Sequence, residues 1–148
     1  MIYPATFSLD TAFGEYYLVV IAKNCDQMYA IHASLPNKYN KLRLYDWDAL
    51  FIDNADKQDL CNGVLLFWQK VAADPSIVTH ELTHAAVHMF RMYGPKLWEK
   101  MLNSVRNEEI HAYIMGEFTK QYWRKYRRLT NDGSVRGRHR NRLSVDAL

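Results

Sequence analysis

Apolar residues first gather in this chain at Glu15 to Lys23, written EYYLVVIAK, an aromatic and β-branched run that predicts a buried strand. Asn24, Cys25 and Asp26 then offer capping side chains. Gln27 to Ala33 follows as a short helix with Met28 and Ile31 inward, or alternatively as a second strand pairing with the first. Leu35 to Lys41 reads as loop, and Leu42 to Ile52 alternates apolar and polar positions as a strand does. Asp53 to Asp59 is polar and turn-like. Asn62-Gly63 leads into Val64-Leu65-Leu66-Phe67-Trp68, a further strand.

The pattern then changes period. Asp74-Pro75 reads as an N-cap followed by proline at the first helical position. Val78, Leu82, Ala85 and Met89 recur at helical spacing, and Gly94-Pro95 marks the expected end. Leu97 to Val105 again has helical spacing. A last helix is predicted from Glu108 to Arg127, with Ile110, Ile114, Phe118 and Tyr122 repeating every four residues. Strands followed by helices predict a small α+β domain with a short mixed sheet.

The 148 residues suffice for one domain with a real core. We place that domain at 1–128 and a basic C-terminal tail at 129–148. No apolar run reaches membrane-spanning length, so no membrane partner is expected. The N-terminus lacks a basic segment followed by an apolar core, which predicts no signal peptide and a cytoplasmic protein. Cys25 and Cys61 are too few for a disulfide framework, and their spacing is not of the metal type. Charge is distributed unevenly. From Arg124 onward eight basic residues face two acidic ones, giving the end a net +6 within a chain total of +3. Arg124 to Arg142 is therefore a contact candidate for nucleic acid or a protein assembly, or simply a solvated terminus.

Chemistry concentrates at His80-Glu81-Leu82-Thr83-His84. Histidines four apart on a helix share a face and can grip one zinc ion. Glu81 directly after the first histidine is positioned to act as general base toward a zinc-bound water. The pattern implies zinc-assisted hydrolysis, most often of a peptide bond. His80, Glu81, His84 and His88 lie off the apolar stripe, on an adjoining face. A catalytic zinc needs a third protein ligand. His88 lies one turn further, about 6 Å along the axis from His84, and cannot easily close a tetrahedron. The better source is Asn107-Glu108-Glu109-Ile110-His111-Ala112-Tyr113.

With that segment the chain resembles a minimal zincin of the gluzincin type, in which HExxH lies on one helix and a glutamate ligand on the next. Such glutamates typically have a small residue three positions later. Glu109 has Ala112 there and Glu108 has His111, so the resemblance favours Glu109 as the third ligand. The EExxAY form is also similar to small metallopeptidases of phages and prophages, which would make the protein virion-associated if phage-encoded. The resemblance covers roughly Gly63 to Gln121. It departs from better-known gluzincins at Tyr113, where an acidic residue often orients a zinc histidine, and in the short gap between His84 and Glu109, which implies a shallow, open cleft. The glycine and third histidine of a metzincin are absent after His84.

By the same resemblance Val64 to Trp68 would be an edge strand along which an extended peptide pairs. His111 and Tyr113 would be candidates to stabilise an oxyanion, or packing residues of the second helix. The sequence thus implies a zinc metallopeptidase with His80, His84 and Glu109 on the metal, Glu81 as base and a peptide or protein as substrate. Its competitor is a non-catalytic scaffold of the same fold that docks through the basic tail.

Overall fold

The computed structural model describes residues 1–36, 48–54, 59–100 and 107–135. Four strands, β1 (Ala5–Asp10), β2 (Tyr16–Ala22), β3 (Ala49–Asp53) and β4 (Cys61–Trp68), form one mixed sheet in the order β1-β2-β4-β3. β1 pairs antiparallel with β2, β2 parallel with β4, and β3 antiparallel with β4. The helices are α1 (Cys25–Ser34), α2 (Pro75–Lys100) and α3 (Asn107–Val135). This is the small α+β arrangement with a mixed sheet that the periodicities predict.

Alternation along the strands sorts the side chains between two layers. Val19, Ile21, Leu65 and Phe67 point to one face, where Val78, Leu82, Ala85 and Met89 of α2 and Ile110, Ile114, Phe118 and Tyr122 of α3 complete the main core. Val20, Ala22, Leu50, Ile52, Val64 and Leu66 point to the other face, which Met28 of α1 covers. Because helices lie on both faces, β2 and β4 need apolar residues at every position, hence their unbroken runs. Asn24 caps α1 by accepting from the Gln27 amide at 2.9 Å. The predicted short helix therefore forms, and the alternative second strand does not.

Three sequence expectations need correction. Val64 to Trp68 is not an edge strand: β4 is flanked by β2 and β3, and its residues Cys61 to Phe67 are all buried. The edge beside α2 is β3. Gly94-Pro95 does not end α2, which continues to Lys100. One missing helical amide is tolerated while the turns on either side hold their own hydrogen bonds. α3 likewise runs on to Val135, past the expected helix end at Arg127. The predicted strand over Leu42 to Ile52 is realised only as Ala49–Asp53 within the described residues. Residues 37–47, 55–58, 101–106 and 136–148, with parts of the expected loop, turn, helix and tail, lie outside them.

β1 was not anticipated. Ala5 and Leu9 are buried while Thr6 and Asp10 are exposed, a short alternation that turns one side to the core. α3 closes its outer edge. Gln121 accepts from the Asp10 amide at 2.9 Å and donates to the Asp10 carbonyl at 3.0 Å, as a neighbouring strand would. Lys125 Nζ donates to the Ser8 carbonyl at 2.7 Å and to the Asp10 carboxylate at 2.8 Å. Thus Lys125, counted with the basic end, is committed to the fold.

Candidate metal centre

α2 starts where the sequence places it. Asp74 accepts from the Ser76 amide at 2.9 Å and the Ser76 hydroxyl at 2.7 Å, capping the first turn ahead of the motif. Leu82 and Ala85 face the core, so His80 and His84 emerge together on the adjoining face. Their Nε2 atoms stand 3.2 Å apart. Two nitrogens on one tetrahedral zinc, at zinc–nitrogen distances of about 2.05 Å, would be separated by about 3.3 Å. The pair fits one metal; without it, the same approach is a hydrogen bond between neutral imidazoles. Burial lowers the pKa of His84, with a contribution from His80, and favours the neutral form that ligates.

Glu81 is only 6 % exposed and lines one cavity with His80. Burial pushes its carboxyl above the ordinary range, against smaller opposing effects of His80 and of a hydrogen bond from the Phe51 backbone amide. That amide belongs to β3 and points away from β4, toward α2. The motif is therefore docked against an edge strand, although not the one expected.

Phe51 does more than offer its amide. Its ring lies parallel to the His84 imidazole, 7° between planes and 6.3 Å between centroids. It also leans on His88 at 5.8 Å. Gly63 on β4 makes room for it: a Cβ there would meet the Ile52 carbonyl oxygen at 2.6 Å and the Phe51 ring at 3.1 Å. His88 turns to the sheet, where its Nδ1 meets the Tyr17 hydroxyl at 2.9 Å. It stands behind the histidine pair as a supporting residue. Further along, Glu15 accepts from the Tyr93 hydroxyl and, at 2.9 Å, from the Asn62 amide. Burial, with the bond to Glu15, pushes the Tyr93 hydroxyl up to about 12. Burial also raises the Tyr17 hydroxyl strongly.

The remaining expected site residues lie apart from this centre. Glu109 is exposed on α3 and lines a separate depression with Ala112, Tyr113, Gly116, Glu117 and Lys120. Among the described residues no three His, Cys, Asp or Glu side chains come close enough to hold a metal. His80, Glu81 and His84 are brought together; Glu109 is not brought to them. The side chain of Glu108 lies outside the described residues. Tyr113 is 66 % exposed and His111 is half-buried, its Nε2 enclosed without a hydrogen-bond partner among the described residues. Of the residues that sequence reasoning missed, Phe51 and Tyr17 sat inside predicted strands. Only the pairing of β3 beside α2 reveals their roles, and no local signal carries it.

A cavity of about 330 Å³ opens beside His80 and Glu81, lined also by Asp48, Ala49, Ser76 and Ile77. Cys25 and Cys61 are both free thiols. No described helix is long and apolar enough to cross a membrane. Compared with family models, curated proteins and solved structures, the chain matches none.

Proposed function

We propose that the chain is a zinc-dependent peptidase of the small gluzincin kind found in phages, acting on a peptide or protein. One observation carries the reading: two Nε2 atoms at the separation of two ligands of one tetrahedral ion, with a buried carboxylate between them in sequence. His80 and His84 hold the metal in this proposal. Zinc, when bound, supplies a Lewis acid that brings the pKa of a water toward neutrality. Glu81 accepts the proton of the attacking water and returns it to the leaving amine. Burial raises its carboxyl above the ordinary glutamate range, which makes it a stronger proton acceptor than an exposed glutamate. Among the described residues no strand pairs with the outer edge of β3, and its backbone groups other than the Phe51 amide would be offered to an extended substrate.

Glu109 is the third ligand in this proposal on the strength of its EExxAY context. It stands apart from the histidines, so its engagement requires the first turn of α3 to approach His80 when metal binds. The test is zinc content per chain after exhaustive dialysis. Wild type is expected to hold about one zinc, Glu81→Gln to keep it without hydrolysing peptides, and His80→Ala, His84→Ala and Glu109→Ala to lose it. Normal zinc in Glu109→Ala, with loss in Glu108→Ala, would reassign the ligand. No zinc in wild type, even after it is added back, would sink the peptidase.

A non-catalytic scaffold docking through Arg124 to Arg142 is the second reading. The separation of Glu109 from the histidines favours it. It would show as co-purifying partners and intact function in Glu81→Gln.

A further inference from the structure

We infer that the cavity beside His80 and Glu81 is a subsite for a basic side chain, so that the substrate is a peptide carrying Lys or Arg next to the bond attacked. The inference rests on the peptidase reading only for what happens to the bound peptide. The binding itself is argued from the cavity.

Two elements build it. Asp48 and Ala49 come from the start of β3; Ser76, Ile77, His80 and Glu81 come from the first turns of α2. Ala49 is buried and Ile77 half-buried, which gives apolar walls. Asp48 is exposed at the mouth, and one of its carboxylate oxygens accepts from Trp68 Nε1 at 3.2 Å. That bond fixes the direction of the charge without neutralising it. A Lys or Arg side chain suits such a space: its aliphatic stem covers apolar wall while its head meets the carboxylate.

Charge around the cavity argues the same way. The amide ends of a helix would normally favour an anion, but Asp74 already occupies those of α2. An acidic side chain would face the Asp48 carboxylate. Among the described residues the nearby cation Lys70 holds its Nζ 5.6 Å from the centre of the Trp68 ring. A small neutral side chain would leave the cavity unfilled.

The test uses the full chain, zinc-loaded and carrying Glu81→Gln so that bound peptide stays intact. Three end-blocked hexapeptides, identical except for a central Lys, Leu or Glu, are titrated by fluorescence anisotropy. The Lys peptide is expected to bind about three- to tenfold more tightly than the Leu peptide, a range set by solvent screening at Asp48. The Glu peptide should bind weakest. Adding Asp48→Asn should abolish the Lys preference and leave Leu binding unchanged, while Asp48→Glu should retain it. Circular dichroism checks that both variants fold. Equal binding of the three peptides, no binding at all, or an equal loss for all three in Asp48→Asn would overturn the subsite. Wild-type protein is then given the Lys peptide. If that peptide binds in an Asp48-dependent way and is not cut, the subsite stands and the peptidase reading falls.

Discussion

Gly63 supports the candidate centre without touching either histidine, and replacing it with alanine tests the geometry sharply. The new Cβ would lie 2.6 Å from the Ile52 carbonyl oxygen, 3.1 Å from the Phe51 ring and 3.3 Å from the Asp53 Cα. The nearest atom is backbone, so no rotamer change relieves the clash, and β3 must move outward by several tenths of an ångström. Overpacking of this kind costs about 1–3 kcal/mol. In a domain of this size 1 kcal/mol lowers Tm by roughly 2–4 °C. We therefore expect Gly63→Ala to melt about 3–10 °C below wild type in a metal-free thermal scan. Gly116→Ala is the control, since a Cβ there meets nothing within 4 Å in the middle of α3. Alanine's helix propensity should raise stability by up to about 1 kcal/mol. The displaced β3 also carries the Phe51 amide from Glu81 and its ring from His84, so zinc affinity should fall in Gly63→Ala and hold in Gly116→Ala. A Gly63→Ala protein that melts within 1 °C of wild type and binds zinc equally would refute the claim that β3 is held tightly on α2.

Other expectations concern protons and the core. Burial raises the Glu81 carboxyl, so the folded state keeps a proton that the unfolded chain has lost. Its favourable contribution is full below the ordinary glutamate range and is lost as pH rises through the folded value. Metal-free Glu81→Gln should thus gain on wild type in Tm more at pH 8 than at pH 5; an equal gap at both would contradict the assignment. Asp10 has the opposite sign: hydrogen bonds from Lys125 and Ser8 hold its carboxyl low. That stability is present above the ordinary aspartate range and disappears as pH falls through the folded value. Asp10 is largely exposed, so the amount is below about 1 kcal/mol, and Asp10→Asn should flatten the loss of stability between pH 5 and pH 3 by that much. Tyr122 is fully buried and donates to the Ala72 carbonyl at 2.8 Å. Tyr122→Phe should cost about 1–3 kcal/mol in urea titrations, because the carbonyl is left unpaired.

The elements that the sequence reveals are those whose side chains report a period. β2, β4 and the two apolar stripes of α2 and α3 are legible, since each packs a regular face, whereas the α1 stretch reads either as a short helix or as a strand. The HExxH pair is legible for the same reason: i and i+4 on a capped helix share a face whatever else the chain does. Neighbour relations are not. The run at Val64 to Trp68 states that β4 is covered on both sides but not which strand stands beside it, and resemblance supplied the wrong edge. β3 is five residues long, and its partner role depends on contacts with β4 and α2. Glu109 shows the same limit. Its local motif suggests a ligand, while its position depends on how α2 and α3 are joined, which periodicity does not encode.

The closure of β1 by Gln121 and Lys125 bears on how this protein meets other chains. A sheet that adds strands at both margins can propagate without end, each arrival presenting a fresh margin to the next. Here one margin is occupied from within by α3, and among the described residues no strand stands beside β3 on the other. A strand that joins there extends the sheet once in that direction and finds no matching acceptor on the far side of the same molecule. The sheet can therefore receive a guest strand beside the HExxH helix with little risk of growing into a fibre.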